Sequence, residues 1–562
     1  MSIRPHRLAM SISASLFAAI ACAAHAQTPA ASPTFDVRSF GAKGDGKALD
    51  TDAINKAIEA ANAAGGGTVY FRAGVYPTYS VHLKSNVGIY LDHGATLLAA
   101  GPTLAGLPGP GGGRGRGGAA APPPPPATHP AGPQALVVSP EVLAMPNAYD
   151  APEPNPAERS DFGPNQDFGH SHWHNSLLWG EDLHDISITG PGTIDGNALG
   201  YNPPATAQGV GNKALALKNC RNVILRDFTF FRGGHFCILA TAVDNFTIDA
   251  VKFDTTRDAI DVVSCKNVRI SNCYVNSPFD DGICLKADYS LGKPRDCENI
   301  TITNCLVAGY VMGSMIDGTY NKTNRPGTGR IKFGTESNGG FKNITISNCV
   351  FDHCNGLALE VVDGGHIEDV TVSNITMRDL VSSPIFIRLG NRHRSPLGAD
   401  TPVAEIHRVN ISDISASGID PNFPVNIAGI PGHLIEDLRL SNIRIAYKGG
   451  GTAEQAAREV PENEIAYPEP TMFGTLNASA FFIRHVKNLE MHHIDVTFDK
   501  PDARPAFWMN DIQGADFQHM KIQRFDGVPL FSLNNVSDFS TQFVRSIADM
   551  KKDKIDKEAI EK

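Results

Sequence analysis

One pattern of polar and apolar positions returns along much of this chain. An Asn or Asp is followed by alternating apolar residues and then by a short polar break. The copies that start with Asn begin at Asn222, Asn245, Asn267, Asn299 and Asn343, and weaker copies begin at Asp369, Asp437 and Asn488. The intervals between the first five are 23, 22, 32 and 44 residues. The last interval is twice 22, so it holds either a degenerate copy or a long insertion.

Each copy is predicted to be a short β-strand, because its apolar residues alternate and many of them are β-branched. No copy leaves room for a helix, which excludes ankyrin repeats and repeats of helical pairs. Repeats of this length indicate a solenoid, and a solenoid of strands alone is a parallel β-helix. Its coils stack at about 4.8 Å, so residues at equal offsets from the repeated Asn form ladders.

The sixth residue after each repeated Asn is predicted to point into the solenoid. In the five Asn copies this residue is Phe228, Val251, Cys273, Cys305 and Cys349. An unpaired cysteine behaves as a small buried hydrophobe. This row of side chains is therefore interpreted as core packing.

A helix is predicted before the repeats, where it would cover the first coil. Asp50 or Thr51 can cap this helix, and residues 65–67, all Gly, end it. Its apolar residues share one face and are Ala53, Ile54, Ala57, Ile58 and Ala61. Solenoids need such a cap at an otherwise open end.

Several segments outside the repeats have compositions of their own. Residues 1–26 have a basic start, an apolar run and the cleavage-like Ala24-His25-Ala26, which predicts a signal peptide and export to the periplasm or the extracellular space. The alternative, a membrane anchor, needs a longer apolar span, and no later stretch is apolar enough to span a bilayer. Residues 34–545 are predicted to form the β-helix domain, with a flexible Gly/Pro-rich insertion at 107–133. Residues 546–562 are a charged C-terminal tail, for which we expect a frayed helix.

Charge and cysteine content exclude several classes of protein. The chain has 562 residues and a formal net charge of −10, and without a basic tract it is not expected to bind nucleic acid. An anionic substrate would therefore need basic groups inside a local cleft. Removal of Cys22 with the signal peptide leaves nine cysteines, none with the spacing of zinc ligands. We expect a monomer without a metal or another cofactor.

A candidate site follows from one further offset in the repeats. The thirteenth residue after three consecutive repeated Asn is His235, Asp258 and Asp280, with Asp281 beside the last. These side chains are predicted to line up on successive coils, and stacked carboxylates repel one another, so they indicate a function. In glycoside hydrolysis one carboxylic acid protonates the leaving oxygen and a second carboxylate activates water. The alternative is that each Asp caps a turn.

Two adjacent aspartates can share one cleft only at a bend of the chain. Neighbouring residues of a strand point to opposite faces, so Asp280 and Asp281 would separate on a regular strand. Pro278 lies just upstream and favours such a bend.

SPFDDGICLKADYSLG and the preceding TTRDAIDVVSCKNVRISNCYV resemble glycoside hydrolase family 28, the polygalacturonase family. The opening FGAKGDG and the later GPGTIDGNA are also similar to that family, and the resemblance covers roughly residues 35–390. It implies an all-β fold, a single-stranded right-handed parallel β-helix of the pectin-lyase-like class with an N-terminal capping helix. It also implies an O-glycosyl hydrolase of pectic poly- or oligosaccharides that inverts the anomeric carbon. In that family Asp280 would be the general acid, and Asp258 with Asp281 would activate water.

The chain departs from the family in two motifs. The coil after the aspartate pair should carry Gly-His-Gly, but residues 309–336 contain no His. The place of the carboxylate-binding Arg-Ile-Lys is taken by Ala358-Leu359-Glu360. Arg330-Ile331-Lys332 has the same letters but precedes the GTESNGG segment, so we interpret the match as a coincidence. Arg330 and Lys332 nevertheless stay among the candidate substrate-binding residues.

The remaining candidates concern recognition of the sugar. Glu360 in place of a cation favours a neutral sugar such as rhamnose beside the cut, because a carboxylate would repel a uronate. Lys286 and Arg388 are candidates for binding uronate elsewhere, and His235 is a candidate because it shares the aspartate offset. Residues 170–174, which hold three His and one Trp, are interpreted as a strand edge that could stack on sugar and that lies near no matching acid.

Two other functions fit the same features. A polysaccharide lyase of this fold would use the aspartates to hold Ca²⁺, and a non-catalytic carbohydrate-binding solenoid would use no acid at all. The aspartate pair favours polygalacturonase-like or rhamnogalacturonan-directed hydrolysis. The insertion at residues 309–330 would favour attack from a chain end if it blocks one end of the cleft.

Overall fold

A computed structural model describes residues 33–101, 149–152, 167–200, 209–323, 327–396 and 401–561. The predicted signal peptide, residues 1–26, and the predicted insertion, residues 107–133, lie outside this part of the chain. The described residues form an all-β, right-handed parallel β-helix with a helix at its N-terminal end, which confirms the predicted fold class. None of their helices has the length and the apolar character needed to cross a bilayer.

Three ladders of parallel strands run along the solenoid, and a coil contributes one strand to each ladder. The first ladder carries the candidate site. Its strands are β4 (Val81–His82), β7 (Ser176–Glu181), β10 (Lys213–Lys218), β13 (Phe236–Thr241), β16 (Ile260–Val263), β19 (Ile283–Ala287), β22 (Ile331–Ser337), β25 (Leu357–Val361), β27 (Ile385–Leu389) and β29 (Val425–Ala428).

The other two ladders complete the wall of the solenoid. The strands of the second ladder are β1 (Thr34–Asp36), β2 (Gly67–Phe71), β5 (Val87–Leu91), β8 (His184–Thr189), β11 (Arg221–Arg226), β14 (Asp244–Asp249), β17 (Lys266–Ser271), β20 (Cys297–Thr303) and β23 (Phe341–Ser347). The strands of the third ladder are β3 (Gly74–Thr78), β6 (Ala95–Ala99), β9 (Thr193–Asp195), β12 (Thr229–Phe231), β15 (Lys252–Asp254), β18 (Tyr274–Asn276), β21 (Leu306–Ala308) and β24 (Val350–Asp352).

The later coils continue the ladders mainly with long strands that run from one ladder into the next. They are β26 (His366–Arg378), β28 (Glu405–Ile419), β30 (Ile435–Tyr447), β31 (Phe481–Phe498), β32 (Phe507–Gln518), β33 (Lys521–Ile522), β34 (Phe531–Gln542) and β35 (Met550–Ile560). The helices are α1 (Thr51–Ala63) and α2 (Ala453–Ala456), with 3₁₀ turns at Val37–Phe40, Phe168–Ser171 and Pro470–Phe473.

The repeated Asn marks a corner of each coil. Its backbone is left-handed in all five copies, with φ between 53° at Asn245 and 59° at Asn299. Asn tolerates this conformation better than most residues. Its side-chain amide also donates to the Oδ1 of the preceding copy, at 3.2 Å from Asn267 to Asn245 and 3.0 Å from Asn299 to Asn267. The pattern therefore predicts the coil corner as well as the strand.

The interior contains the predicted row of apolar and thiol side chains. Phe228 and Val251 are fully buried, and Cys273, Cys305 and Cys349 are at most 2% exposed. All nine cysteines of the described chain are free and buried. None of these nine cysteines forms a disulfide, so packing in the interior explains their presence.

The long interval between Asn299 and Asn343 holds an insertion and no degenerate copy. β20 and β21 are followed by residues 309–330, and the same coil then closes with β22. Gly309 and Gly327 pack so closely that a Cβ on Gly309 would lie 2.8 Å from the Cα of Gly327. The two ends of the insertion therefore meet, and the coil is not interrupted.

Helix α1 packs on the first strands as predicted. Its five apolar positions are all buried, and it ends before Gly65, whose φ is +87°. Asp50 precedes the helix, but its carboxylate accepts hydrogen bonds from the backbone of Lys43 and Gly44 and not from the helix. Asp50, one of the two predicted capping residues, therefore anchors the preceding loop and makes no capping hydrogen bond with its side chain.

The predicted C-terminal helix is wrong. Residues Met550–Ile560 form β35, which pairs antiparallel with β34 at the last coil. Ile555 and Ile560 are 4% and 5% exposed, so the strand buries its few apolar residues against the solenoid. Pairing satisfies the backbone groups that an open edge would leave exposed, and this outweighs the helix propensity of the Lys- and Glu-rich sequence.

Candidate active site

The three predicted carboxylates meet at the first ladder. Asp258 precedes β16, and Asp280 and Asp281 precede β19. One oxygen from each carboxylate lies within 4.8 Å of one oxygen from each of the others. Asp258 and Asp281 are almost fully buried, whereas the Asp280 side chain is 30% exposed. Asp280 is thus the member of the group most open to a ligand.

The predicted ladder of His235, Asp258 and Asp280 is wrong by one residue. β13 and β16 pair Ile238 with Ile260, but β16 and β19 pair Ile260 with Ile283. This register places Asp258 level with Asp281, because one extra residue enters the chain before β19.

The extra residue lies in a turn formed by Pro278 and Phe279. The turn lets Asp280 and Asp281 both face the cluster, which confirms the predicted bend. Because of the shift, Asp280 lies level with Arg257 and His235, and Arg257 becomes its neighbour.

Burial and charge favour the protonated form of Asp280. Burial, and then the neighbouring carboxylates of Asp258 and Asp281, raise the pKa of Asp280 to about 8. Arg257 opposes this shift through an ion pair in which its Nη2 lies 2.8 Å from the Asp280 carboxylate. Asp280 can therefore hold a proton near neutral pH.

Asp258 is held in the opposite state. Burial alone would raise its pKa, but Lys286, whose Nζ lies 2.9 Å from its carboxylate, and Arg257 hold the pKa of Asp258 below its usual value. The same Nζ lies 3.0 Å from the carboxylate of Asp261. Lys286 is only 5% exposed and pairs with acids of the chain, which is contrary to its predicted role in binding substrate.

Arg330 and Lys332 reach the same cluster from the next coil. The Nε of Arg330 lies 2.7 Å from Asp281, and its guanidinium forms a two-pronged ion pair with Glu469. The Nζ of Lys332 lies 3.4 Å from Asp281, 3.6 Å from Glu360 and 3.5 Å from Glu469. Both cations are at most 2% exposed. Each is also already paired with carboxylates of the chain, which neutralise its charge.

Glu360 lies one coil beyond Lys332, on the coil where the comparison of motifs predicted it. β22 pairs Lys332 with Ala358, and Glu360 is two residues further along β25. Its carboxylate is fully buried, which raises the pKa of Glu360 to about 8, although Lys332 and Arg330 oppose the shift. Arg330 and Lys332 thus lie on one coil and Glu360 lies on the next, but their side chains meet in one cluster.

Arg388 does not reach the cluster, which corrects its prediction as a substrate-binding residue. Its guanidinium is fully buried and donates to the backbone carbonyls of Ala428, Gly429, Glu462 and Asn463. Burial of the charged group, and then the nearby charge of Arg484, lower the pKa of Arg388 to about 9. The residue holds residues 448–480 against the first ladder.

Residues 448–480, which connect β30 to β31, supply a site residue that the sequence analysis missed. Glu469 comes from this segment and is 28% exposed beside Arg330. Tyr467 of the same segment is 54% exposed, and its ring lies 5.6 Å from the Nζ of Lys332. No repeat or motif marks these residues, because their place depends on a long connection folding back over the ladder.

The predicted strand edge at residues 170–174 is also corrected. Phe168–Ser171 is a 3₁₀ turn, and His170 is buried with its Nδ1 2.6 Å from the carboxylate of Asp288. An acid does match this histidine, although 118 residues of sequence separate them. His235 similarly contacts Asp167 at 2.8 Å and Arg257 at 2.9 Å, and it is 1% exposed.

Comparison with known proteins places this site in a family. The sequence profile of the glycosyl hydrolases family 28 matches residues 161–465, which include every candidate acid. A second profile, described as rhamnogalacturonase A/epimerase, pectate lyase-like, matches residues 34–92.

Individual relatives are distant. A probable polygalacturonase from Vitis vinifera is 23% identical over 458 residues, 76% of each chain. Alginate lyase 7 from Azotobacter vinelandii is 45% identical over 67 residues, which are 12% of this chain and 8% of that protein. Two solved exopolygalacturonases share the fold at 17% identity. The enzyme from Thermotoga maritima has a TM-score of 0.54 with 84% of this chain and 93% of its own covered, and that from Yersinia enterocolitica has 0.57 with 86% and 78%.

Proposed function

Because this chain belongs to glycoside hydrolase family 28, we propose that it hydrolyses a glycosidic bond of a pectic poly- or oligosaccharide by an inverting acid/base mechanism. The observation that carries this proposal is the meeting of Asp258, Asp280 and Asp281 within 4.8 Å at the first ladder. Acid/base hydrolysis requires one protonated and one ionised carboxyl group at the bond that is cut, and these three carboxyl groups lie in electrostatic surroundings that favour different protonation states.

Asp280 is the general acid in this proposal. It is the most exposed of the three, and its raised pKa keeps a proton available near neutral pH. That proton passes to the glycosidic oxygen as the bond from the anomeric carbon to that oxygen breaks. Water forms the new bond to the anomeric carbon, and Asp258 with Asp281 accepts its proton.

Inversion is proposed on the family resemblance, since the spacing of the acids does not by itself predict it. Inverting glycosidases usually separate their two carboxyl groups by about 6.5–9.5 Å to make room for water, whereas these oxygens lie within 4.8 Å. Proton NMR of the first product formed tests this step directly. The anomer opposite to that of the substrate is expected, and the same anomer would refute inversion.

The sugar beside the cut is proposed to be neutral, as in a rhamnogalacturonan-directed enzyme. Arg330 and Lys332 are the cations nearest to Asp281, and both are paired with Glu469. A galacturonate carboxylate would have to displace the Glu469 carboxylate from these two cations. A neutral rhamnose avoids this cost.

Rates on polygalacturonan and on rhamnogalacturonan, with sizing of the products, test this choice of substrate. We expect faster hydrolysis of rhamnogalacturonan, with products that lack the near-ultraviolet absorbance of an unsaturated uronate. Glu469→Gln should narrow the difference between the rates on the two substrates, because it leaves the charge of Arg330 available to a uronate. Faster cleavage of polygalacturonan by the unchanged enzyme would overturn the neutral-sugar proposal. Release of long internal fragments would contradict attack from a chain end, which is expected if the insertion at residues 309–330 blocks one end of the site.

Export is a separate proposal that rests on residues 1–26 alone. The basic start and the apolar run before Ala24-His25-Ala26 support cleavage before Gln27. N-terminal sequencing of protein recovered from the periplasm or the medium is expected to begin at Gln27. An intact N-terminus on membrane-bound protein would show anchoring.

A further inference from the structure

Two of the three proposed catalytic carboxylates are each held by one cation, the partly buried Arg257 or the buried Lys286, and a His–Asp pair lies behind each cation. Arg257 contacts Asp280, and Lys286 contacts Asp258. We refer to Arg257 with its partners as the acid arm and to Lys286 with its partners as the base arm.

In the acid arm, Arg257 links Asp280 to a histidine. Its Nη2 lies 2.8 Å from Asp280, and its Nη1 lies 2.9 Å from the Nδ1 of His235. A guanidinium can only donate, so the Nδ1 of His235 must accept. The ring proton is therefore on Nε2, which donates to Asp167 at 2.8 Å.

The base arm repeats this logic with a different cation. The Nζ of Lys286 lies 2.9 Å from Asp258 and 3.4 Å from the Nε2 of His170. An ammonium can only donate, so the Nε2 of His170 accepts and its Nδ1 donates to Asp288 at 2.6 Å. His170 and Asp288 are both 1% exposed, so no water competes for these bonds.

One short segment supplies a residue to both arms. Asp167 and His170 lie at the two ends of a single turn, in which Asp167 Oδ1 also accepts from the backbone N–H of Gly169. Gly169 packs tightly here, since a Cβ at this position would lie 2.5 Å from Phe236 and 2.8 Å from His235. The turn is thus fitted against the ring that it orients.

We propose that the turn from Asp167 to His170 is a positioning element that sets the acid carboxylate through Arg257 and the base carboxylate through Lys286. The proposal rests on the acid and base roles given above to Asp280 and Asp258. It assigns Arg257, Lys286, His235 and His170 to positioning and not to binding of the sugar. His235 approaches the cluster from the coil before it, whereas the histidine of the missing Gly-His-Gly motif would lie on the coil after the aspartate pair.

The two arms make different predictions for the pH profile of hydrolysis. Arg257 lowers the pKa of Asp280, so its loss raises that pKa and extends activity to higher pH. Lys286 lowers the pKa of Asp258, so its loss raises that pKa and removes activity at low pH. The alkaline limb reports the acid and the acidic limb reports the base.

The test compares Arg257→Gln and Lys286→Gln in kcat/KM profiles. Arg257→Gln is expected to move the alkaline limb up by about 1 pH unit or more, with a smaller shift of the acidic limb. Lys286→Gln is expected to move mainly the acidic limb, also upward. If the larger shift fell on the same limb in both variants, or if neither limb moved, the proposal would be overturned.

The turn itself is tested by Asp167→Ala and Asp288→Ala. Each should lower kcat by about 10- to 100-fold with KM nearly unchanged, because misplacement of a catalytic group has this effect. Asp167→Asn keeps an oxygen that can accept from His235 and should restore most of the loss. Asp150→Ala is the matched control, since Asp150 pairs with His82 at 2.8 Å outside both arms, and it should leave both limbs in place. Equal losses in Asp167→Ala, Asp167→Asn and Asp150→Ala would reduce the turn to a structural role.

A second readout needs no substrate. In protein labelled with ¹³C at the aspartate carboxyl carbons, Asp258→Asn and Asp280→Asn identify the two signals. Arg257→Gln should raise the titration midpoint of Asp280, and Lys286→Gln should raise that of Asp258. If these shifts occur in a protein that releases no sugar, the hydrolase function fails and the arms stand. If sugar is released but the midpoints do not move, the arms fail and the hydrolase function stands.

Discussion

Two sides of this solenoid are built from the same coils in different ways. On the second ladder Phe246 pairs with Val268, which follows it by 22 residues, and the repeated Asn245 and Asn267 are the same distance apart in the sequence. On the first ladder the next pair is Ile260 with Ile283, one residue longer, and the extra residue is in the turn at Pro278. The extra residue brings Arg257 level with Asp280 and Asp258 level with Asp281, so charged groups converge at this edge of the first ladder, while apolar side chains stack along the second.

The two sides also differ in what holds them together. The interior stacks aromatic rings such as Phe230 on Phe253, whose centroids are 5.4 Å apart, and burial of this apolar area stabilises the fold. The carboxylate cluster at the first ladder, called the cleft below, buries Asp258, Lys286 and Glu360, whose removal from water costs free energy that their ion pairs only partly offset. The interior is therefore expected to govern stability, and the cleft to govern activity at some cost in stability.

The largest expected effect lies in the cleft. Asp280→Asn removes the proposed acid and should lower kcat/KM by about 100- to 10,000-fold. The unfolding temperature should stay the same or rise, because one carboxyl is removed from a group of three that repel one another. Kinetics and thermal unfolding on the same preparation measure both.

Asp261→Asn provides a comparison, because Asp261 also contacts Lys286 but belongs to the base side of the cluster. It should cost less activity than Asp280→Asn. If Asp280→Asn kept full activity, the acid role of Asp280 would be wrong. If it lost activity and also lowered the unfolding temperature, activity and stability would not depend on separate parts of the molecule.

The interior gives the next largest effect, on stability. Phe230→Ala should lower the free energy of unfolding by about 3–5 kcal/mol, since a fully buried aromatic ring leaves a cavity. The activity of the protein that remains folded should be unchanged. Denaturant unfolding followed by circular dichroism measures the loss, with Ile224→Ala as the control because Ile224 is 40% exposed on the adjacent strand. An equal loss in both variants would contradict the assignment of Phe230 to the core.

A third prediction uses pH to separate the two sides. Burial raises the pKa of Glu360 to about 8, so from about pH 4.5 to 8 the unfolded chain has lost a proton that the folded chain keeps. The free energy of unfolding should therefore fall with rising pH, by at most about 1.4 kcal/mol per pH unit for this group. Asp280 adds a contribution of the same sign, and Asp258, whose pKa is lowered, adds the opposite sign only at more acidic pH.

Glu360→Gln should flatten this fall, because the amide resembles the protonated acid at every pH. Urea unfolding at pH 5, 6, 7 and 8 measures the slope. Glu405→Gln is the control, since Glu405 is exposed on the second ladder and should leave the slope as it is. An unchanged slope in Glu360→Gln would mean that Glu360 is ionised in the folded protein.

The regular side of the molecule could be predicted from the sequence because each coil repeats the same local rules. The Asn at each corner, the residue six positions later and the apolar face of α1 all report their surroundings through spacing alone. The meeting of Asp258 with Asp280 and Asp281 also followed from spacing, although the ladder was off by one residue. The pattern of apolar residues in the strands does not determine how many residues a turn contains, so the one-residue shift at Pro278 could not be predicted.

The partners of the cleft could not be predicted because they are distant in sequence. Glu469 reaches Arg330 across 139 residues, and Asp288 reaches His170 across 118. No periodicity connects such residues, since long connections fold back over the first ladder. Arg388 was misassigned for the same reason, because two of its four carbonyl partners, those of Glu462 and Asn463, lie on one of those connections. The C-terminal strand likewise depends on an edge that only the assembled solenoid presents.

The smallest expected effect is at the corner of a coil. Asn267 has φ 57° and makes two exposed side-chain hydrogen bonds, to Asn245 and from Asn299. Asn267→Gly keeps the left-handed backbone without strain and loses the hydrogen bonds, so unfolding should become easier by about 1 kcal/mol. Asn267→Ala should cost about 1 kcal/mol more, because a Cβ is unfavourable at this φ. Neither variant should change kcat/KM. Equal stability of the two variants would show that only the hydrogen bonds matter, and a loss of activity in either would show that the corner and the cleft are coupled after all.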